Sequence, residues 1–112
     1  MRARNALEAA QPEPPQIGFE WDDVKAHSNI RKHGISFNEA ETVFETGEIL
    51  ILPDTKHSEI EVRFHAIGYS SQSRILLISH VNRENDSIRI ISVRKANNKE
   101  KKAYNEKFSQ RT

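Results

Sequence analysis

The apolar positions of this 112-residue chain recur with two different periods, and the change between them divides it. Residues 1–16 follow neither. Three prolines (Pro12, Pro14, Pro15) and few large apolar groups predict a disordered leader, since little burial would offset its ordering entropy. The run Ile17-Gly18-Phe19-Glu20-Trp21 is a short apolar entry, suited to an edge strand. Helical spacing follows. Asp22 can cap a first helix, and Gly34 can stop it in the left-handed conformation. Ser36-Phe37-Asn38-Glu39 has the form of a capping box, with Ile35 placed to staple onto Ala40. Phe37, Ala40, Val43 and Phe44 then form the apolar stripe of a second helix that ends before Gly47.

Beyond Gly47 the period shortens. Residues 49–52 read as a short strand stopped by Pro53-Asp54, followed by a polar loop over 55–58. In residues 61–69, Val62, Phe64 and Ala66 alternate with Glu61, Arg63 and His65, so one face packs and the other is polar. Residues 74–82 are more continuously apolar and predict a central strand. Glu84-Asn85-Asp86-Ser87 is turn chemistry, and residues 88–95 form a fourth strand. Asn97, with Glu100 three residues on, caps a closing helix that runs to Phe108. The expected fold is α+β: two N-terminal helices, an antiparallel twisted sheet of four strands (five with the entry strand), and a C-terminal helix. The helices lie against one face of the sheet. A single domain over 17–108 would be followed by a flexible tail at 109–112.

Composition removes several classes of function. There is no cysteine, hence no disulfide framework and no thiolate chemistry. No apolar run reaches the ~18 residues of a membrane span, and the N-terminus lacks a signal-peptide core, so the expected location is the cytoplasm. Net charge is only +1, but it is unevenly spread. Residues 37–61 hold seven acids against one base, Lys56, while residues 89–112 hold eight bases against two acids. A basic half of this kind suits a polyanion, although a solvated helix face would look the same.

Strand parity suggests where chemistry could gather. Glu61, Arg63 and His65 share the polar face of the second strand. Arg74 and His80 share parity on the third, and Ser92 and Arg94 on the fourth, with Arg89 and Lys95 on the opposite face. Matching polar faces would bring Glu61, Arg63, His80 and Arg94 together at one end of the sheet. Such a set suits cleavage of a phosphodiester by its own 2′-hydroxyl, which needs a base, an acid and cations for the charge building on phosphorus. Glu61 or His80 can act as base, and Arg63 and Arg94 as the clamp. Ordinary surface ion pairing of Glu61 with Arg63 explains the same residues without catalysis. The five histidines show no metal-ligand spacing, and no Gly-rich phosphate loop or nucleophile motif is present, so no metal or cofactor is expected. On the closing helix, Lys99, Lys101, Lys102 and Lys107 flank Tyr104, which can stack on a base or equally anchor the helix.

Several stretches together resemble one family. They are Phe19-Glu20-Trp21-Asp22, Lys25, Asn29, Lys32-His33-Gly34-Ile35-Ser36-Phe37 and Glu39-Ala40. Asp54, His57, Glu61, Arg63-Phe64, Ile67-Gly68, Ser70 and Arg74 follow. Ile88-Arg89-Ile90-Ile91-Ser92-Val93-Arg94, Ala96, Glu100 and Tyr104 complete the set. In order and spacing this resembles the BrnT toxins of BrnT/BrnA type II toxin–antitoxin systems, from about residue 19 to 104. Two positions depart from the pattern: Ser73 stands where a glycine commonly precedes the arginine, and Val93 where an alanine is usual. The resemblance implies a RelE-like fold and metal-independent RNA cleavage that blocks translation. It also implies neutralisation by a BrnA-like antitoxin in a hetero-oligomer whose DNA contacts come from the antitoxin. The candidate catalytic residues are then Glu61, Arg63, His80 and Arg94, and the candidate RNA contacts Lys32, His33, Arg89, Lys95, Lys102 and Tyr104. A non-catalytic nucleic-acid- or antitoxin-binding module, or a purely structural partner-binding domain, would use the basic helix without a base beside arginines.

Overall fold

A computed structural model describes residues 17–57 and 60–109; the expected leader over 1–16 and the last three residues of the tail lie outside them. In chain order the elements are β1 (Gly18–Glu20), α1 (Asp23–His33), α2 (Phe37–Val43), β2 (Leu50–Pro53), a 3-10 turn (Thr55–His57), β3 (Arg63–Tyr69), β4 (Ile75–Arg83), β5 (Ser87–Lys95) and α3 (Asn98–Phe108). The five strands form one sheet in the order β1-β5-β4-β3-β2. β2 to β5 pair antiparallel as a meander, but β1 runs parallel to β5, with Gly18 opposite Ser87 and Glu20 opposite Arg89. The sheet is therefore mixed, and the entry strand joins it at the far edge from β2.

The helix ends follow local chemistry. The Asp22 carboxylate accepts from the Val24 amide at 2.8 Å, and Gly34 closes α1 at φ 69°, its amide donating to the Ile30 carbonyl. Ser36 caps α2 by accepting from the Glu39 amide at 3.0 Å, but the Glu39 carboxylate does not return to the cap. It accepts instead from Ser70 Oγ at 2.6 Å and from Arg74 Nε and Nη2 at 3.0 and 2.6 Å. Half of the expected box has been exchanged for an ion pair that ties α2 to the β3–β4 turn. The Arg74 hydrogen bonds hold the Glu39 carboxyl below its ordinary range against the opposing effect of burial. At α3 both halves of the box are present.

Asn29 joins α1 to the sheet. It is buried, its Nδ2 donates to the carbonyls of Ile35 and Val93 at 2.9 Å each, and its Oδ1 accepts from the Val93 amide at 3.0 Å. Residues directly opposite each other on paired strands share a face, and the register separates two faces. Ala66, Ile78 and Val93 lie under α1 and α2 with Phe37, Ala40 and Val43. Ile67 and Leu77 lie on the other face, where Tyr104 of α3 covers them. The closing helix thus sits opposite the first two, rather than beside them as expected. The β4–β5 pairing breaks between Ser79 and His80: Ser79 faces Ser92, but His80 faces Ile90, so β5 carries one extra residue.

Candidate functional site

The face covered by α3 is only partly covered. Beyond the helix the register lays out polar rows across the strands. Arg63 lies opposite Val81, Val81 opposite Arg89, and Arg89 opposite Glu20. In the next row Leu52 meets His65, then Ser79, then Ser92, and Arg94 lies one row further on, opposite Leu77. Rows on one face repeat every two residues, about 6.6–6.8 Å apart. Arginines and an imidazole are thus gathered on one open surface.

The bulge changes which residues belong to it. The extra residue in β5 reverses the parity between its two ends, so Arg89 joins the face of Arg94 and parts from Lys95. Lys95 faces Leu76, on the side of α1 and α2. His80, expected beside Arg63, lies opposite Phe64 on that same helical side. It is 1 % exposed, stacked on Phe64 at 5.7 Å and edge-on to Phe44 at 5.5 Å. Neither ring nitrogen meets a partner at hydrogen-bonding geometry. Burial pushes its pKa down to about 4, which the nearby Asn82 opposes only in part. His80 is a neutral core residue, and the expected meeting of Glu61, Arg63, His80 and Arg94 does not form.

The remaining candidates have definite places. Glu61 precedes β3 and accepts from Arg83 Nη1 at 2.6 Å. It lines an open depression of 330 Å³ with His57, Ile60 and Arg63. Arg94 donates through both terminal nitrogens to Glu100, each at 2.8 Å, so it clamps the start of α3. Those bonds from Arg94 hold the Glu100 carboxyl low, with a smaller contribution from the charge of His65 nearby. Arg89 Nη1 donates to Glu20 at 2.8 Å. Lys32 and His33 end α1 and are exposed, but α1 packs on the opposite face. Lys102 is exposed on α3. Tyr104 is 4 % exposed, donates its hydroxyl to the Glu48 carbonyl at 3.1 Å and packs against Phe108, so it anchors the helix and presents no ring to a base.

One cluster escaped the sequence reading. Asp54 is 6 % exposed, and its Oδ2 lies 3.1 Å from His57 Nδ1 and 3.2 Å from His65 Nε2. Burial opposes its ionisation, but the hydrogen bond from His57 and the positive charge of both histidines outweigh that and hold its carboxyl below the ordinary range. The available signal was the Pro53-Asp54 strand stop with His57 three residues on, opposite a strand whose polar parity includes His65. No group of three or more His, Asp or Glu among the described residues has the arrangement of a metal site. No described helix is long and apolar enough to cross a membrane.

The family model described as "Ribonuclease toxin, BrnT, of type II toxin-antitoxin system" matches residues 21–100, which include this face and cluster. The chain belongs to the BrnT ribonuclease toxin family. Membership in that family implies an antitoxin as partner. Among solved structures, the crystal structure of the Brucella abortus ribonuclease toxin, BrnT, is similar. It matches at TM-score 0.57 over 73 % of this chain and 99 % of that one, with 24 % identity. At that identity the likeness shows the shared α+β fold. No curated protein matches the chain.

Proposed function

We propose that this BrnT-family chain cleaves single-stranded RNA on the open half of the α3-side sheet face. The reaction needs no metal, and it halts translation in the cytoplasm until a BrnA-like antitoxin binds. The observation that carries the reading is the gathering, on one uncovered face, of arginines from three strands with the imidazole of His65. Cleavage by the RNA's own 2′-hydroxyl requires proton transfer at two oxygens and stabilisation of charge on phosphorus. Arg63, beside Glu61 in the depression, supplies a planar guanidinium for the non-bridging phosphate oxygens. Arg83, Arg89 and Arg94, each held by a carboxylate (Glu61, Glu20 and Glu100), exchange that partner for phosphate, and Lys102 guides the flanking backbone. A module that only binds RNA or antitoxin would use the arginines but has no need of imidazoles among them.

The test is cleavage of a single-stranded RNA oligonucleotide by purified, antitoxin-free protein in excess EDTA. Cleavage is expected, and Arg63→Ala is expected to lower kcat by roughly 10²–10³-fold, as for loss of one charge-stabilising donor. Thermal unfolding should stay near wild type. Intact RNA with the wild-type protein would overturn the catalytic reading.

A further inference from the structure

We propose that His57 and His65 are the proton-transfer pair of the cleavage reaction, and that Asp54 positions both; this rests on the ribonuclease reading above. Asp54 is fixed at the end of β2. Its amide donates to the Arg63 carbonyl at 2.9 Å, and its own carbonyl accepts from the His57 amide at 3.4 Å, closing the 3-10 turn. The backbone thereby sets the carboxylate and the His57 ring together, while β3 supplies the His65 ring from the neighbouring strand. Each ring turns one nitrogen to the same carboxylate oxygen: His57 its Nδ1, His65 its Nε2. The hydrogen bond from His57 Nδ1 to the carboxylate fixes that ring's tautomer and leaves its Nε2 to accept or donate a proton, while His65 Nε2 meets the same oxygen at ion-pairing distance.

Charge balance then divides the roles. A single carboxylate between two imidazoles suits a pair in which one ring gives a proton and the other takes one. The state with one ring charged and one neutral is what the reaction needs. The neutral imidazole takes the proton of the 2′-hydroxyl as the O2′–P bond forms. The imidazolium gives its proton to the 5′-oxygen as the P–O5′ bond breaks. The products are a 2′,3′-cyclic phosphate and a 5′-hydroxyl, and the two rings end with their protonation exchanged. Around the pair, Arg63 and Glu61 share the depression with His57, the Arg94–Glu100 pair reaches His65 from α3, and neutral His80 lies across the sheet from it.

The experiment measures kcat and KM on a single-stranded RNA oligonucleotide in EDTA between pH 5.5 and 9. Wild type, Asp54→Asn, Asp54→Glu, His57→Gln and His65→Gln are compared, with thermal unfolding of each. Wild type should give a bell-shaped profile with cyclic-phosphate products, and no cleavage where the scissile ribose is 2′-deoxy. Each histidine variant should lose about 10²-fold or more in kcat and flatten one limb of the bell. Asp54→Asn should lower kcat at least ~10-fold at near-wild-type KM and shift the limbs, and Asp54→Glu should recover part of the rate. If Asp54→Asn does not fold, His57→Gln decides, since that ring is 59 % exposed on a surface turn. Wild-type cleavage with wild-type kcat and profile in His57→Gln and His65→Gln would overturn this assignment and leave the ribonuclease reading standing. Uncut RNA with the wild type would overturn both.

Discussion

The buried His80 makes a quantitative prediction about acid stability. The unfolded chain binds a proton on this ring near pH 6.5, and the folded chain only near pH 4, because charging it would place an imidazolium among Phe44, Phe64 and the sheet. Between those values the unfolded state holds more protons, so acid favours unfolding. The contribution is whole above pH 6.5 and is lost progressively down to about pH 4, on the order of 3 kcal/mol in full and about 1 kcal/mol between pH 7 and 5.5. His80→Leu keeps the side chain close in volume and removes both unpartnered nitrogens. At pH 7 its stability should equal wild type or exceed it by up to about 1 kcal/mol, since replacing an unsatisfied buried polar group by an apolar one is neutral or favourable. Its stability should fall by about 1 kcal/mol less than wild type between pH 7 and 5.5. Below that, both proteins share the further loss from Asp54, Glu39 and Glu100, whose lowered carboxyl pKa values make their protonation destabilising. Urea denaturation followed through Trp21, the single tryptophan, reads both quantities. Parallel pH dependence in the two proteins would refute the reasoning. Loss of RNA cleavage by a well-folded His80→Leu would return this residue to the chemistry.

Asn29→Ala should cost about 2–4 kcal/mol in urea denaturation, because it strands the Val93 amide and two carbonyls that the side chain satisfies. Ser73 occupies the left-handed region at φ 62° in the β3–β4 turn, the backbone setting that glycine tolerates best. Ser73→Gly should therefore raise stability by about 0.5–1 kcal/mol, and a lowered melting temperature would contradict this. Gly68→Ala would place a Cβ 2.9 Å from Val43 Cγ1 and 3.2 Å from the Glu48 carbonyl. It should cost about 1–3 kcal/mol in the same assay, through forced separation of α2 from β3.

The elements were legible because their signals are local. Asp22, Gly34, Ser36 and Asn97 mark helix ends by satisfying backbone groups within a few residues, and the continuous apolar run of β4 marks a central strand directly. What was missed depends on contacts distant in sequence. Glu39 looked like a cap partner for Ser36 because nothing nearby reveals that Ser70 and Arg74 compete for its carboxylate. Strand parity holds only along an unbroken ladder, and a single extra residue in β5 puts Arg89 on the same face as Arg94. His80 carried the parity of buried Ile78 and Leu76, and its polar side chain alone suggested a polar face. Asp54 and His65 meet only across the β2–β3 pairing, whose register the sequence leaves open. Tyr104 could stack or anchor until the side of the sheet chosen by α3 was known.

The parallel pairing of β1 with β5 has a consequence for how the protein is made. The first described strand finds its place only against the last, with Gly18 beside Ser87. A long sequence separation between partners delays their contact and slows folding. On a ribosome, β1, α1 and α2 emerge long before β5 can cover them, and Val93, the sheet partner of Asn29, comes late as well. The row of arginines likewise waits for Arg89 and Arg94. A nascent chain arrested before β5 therefore lacks the assembled arginine face.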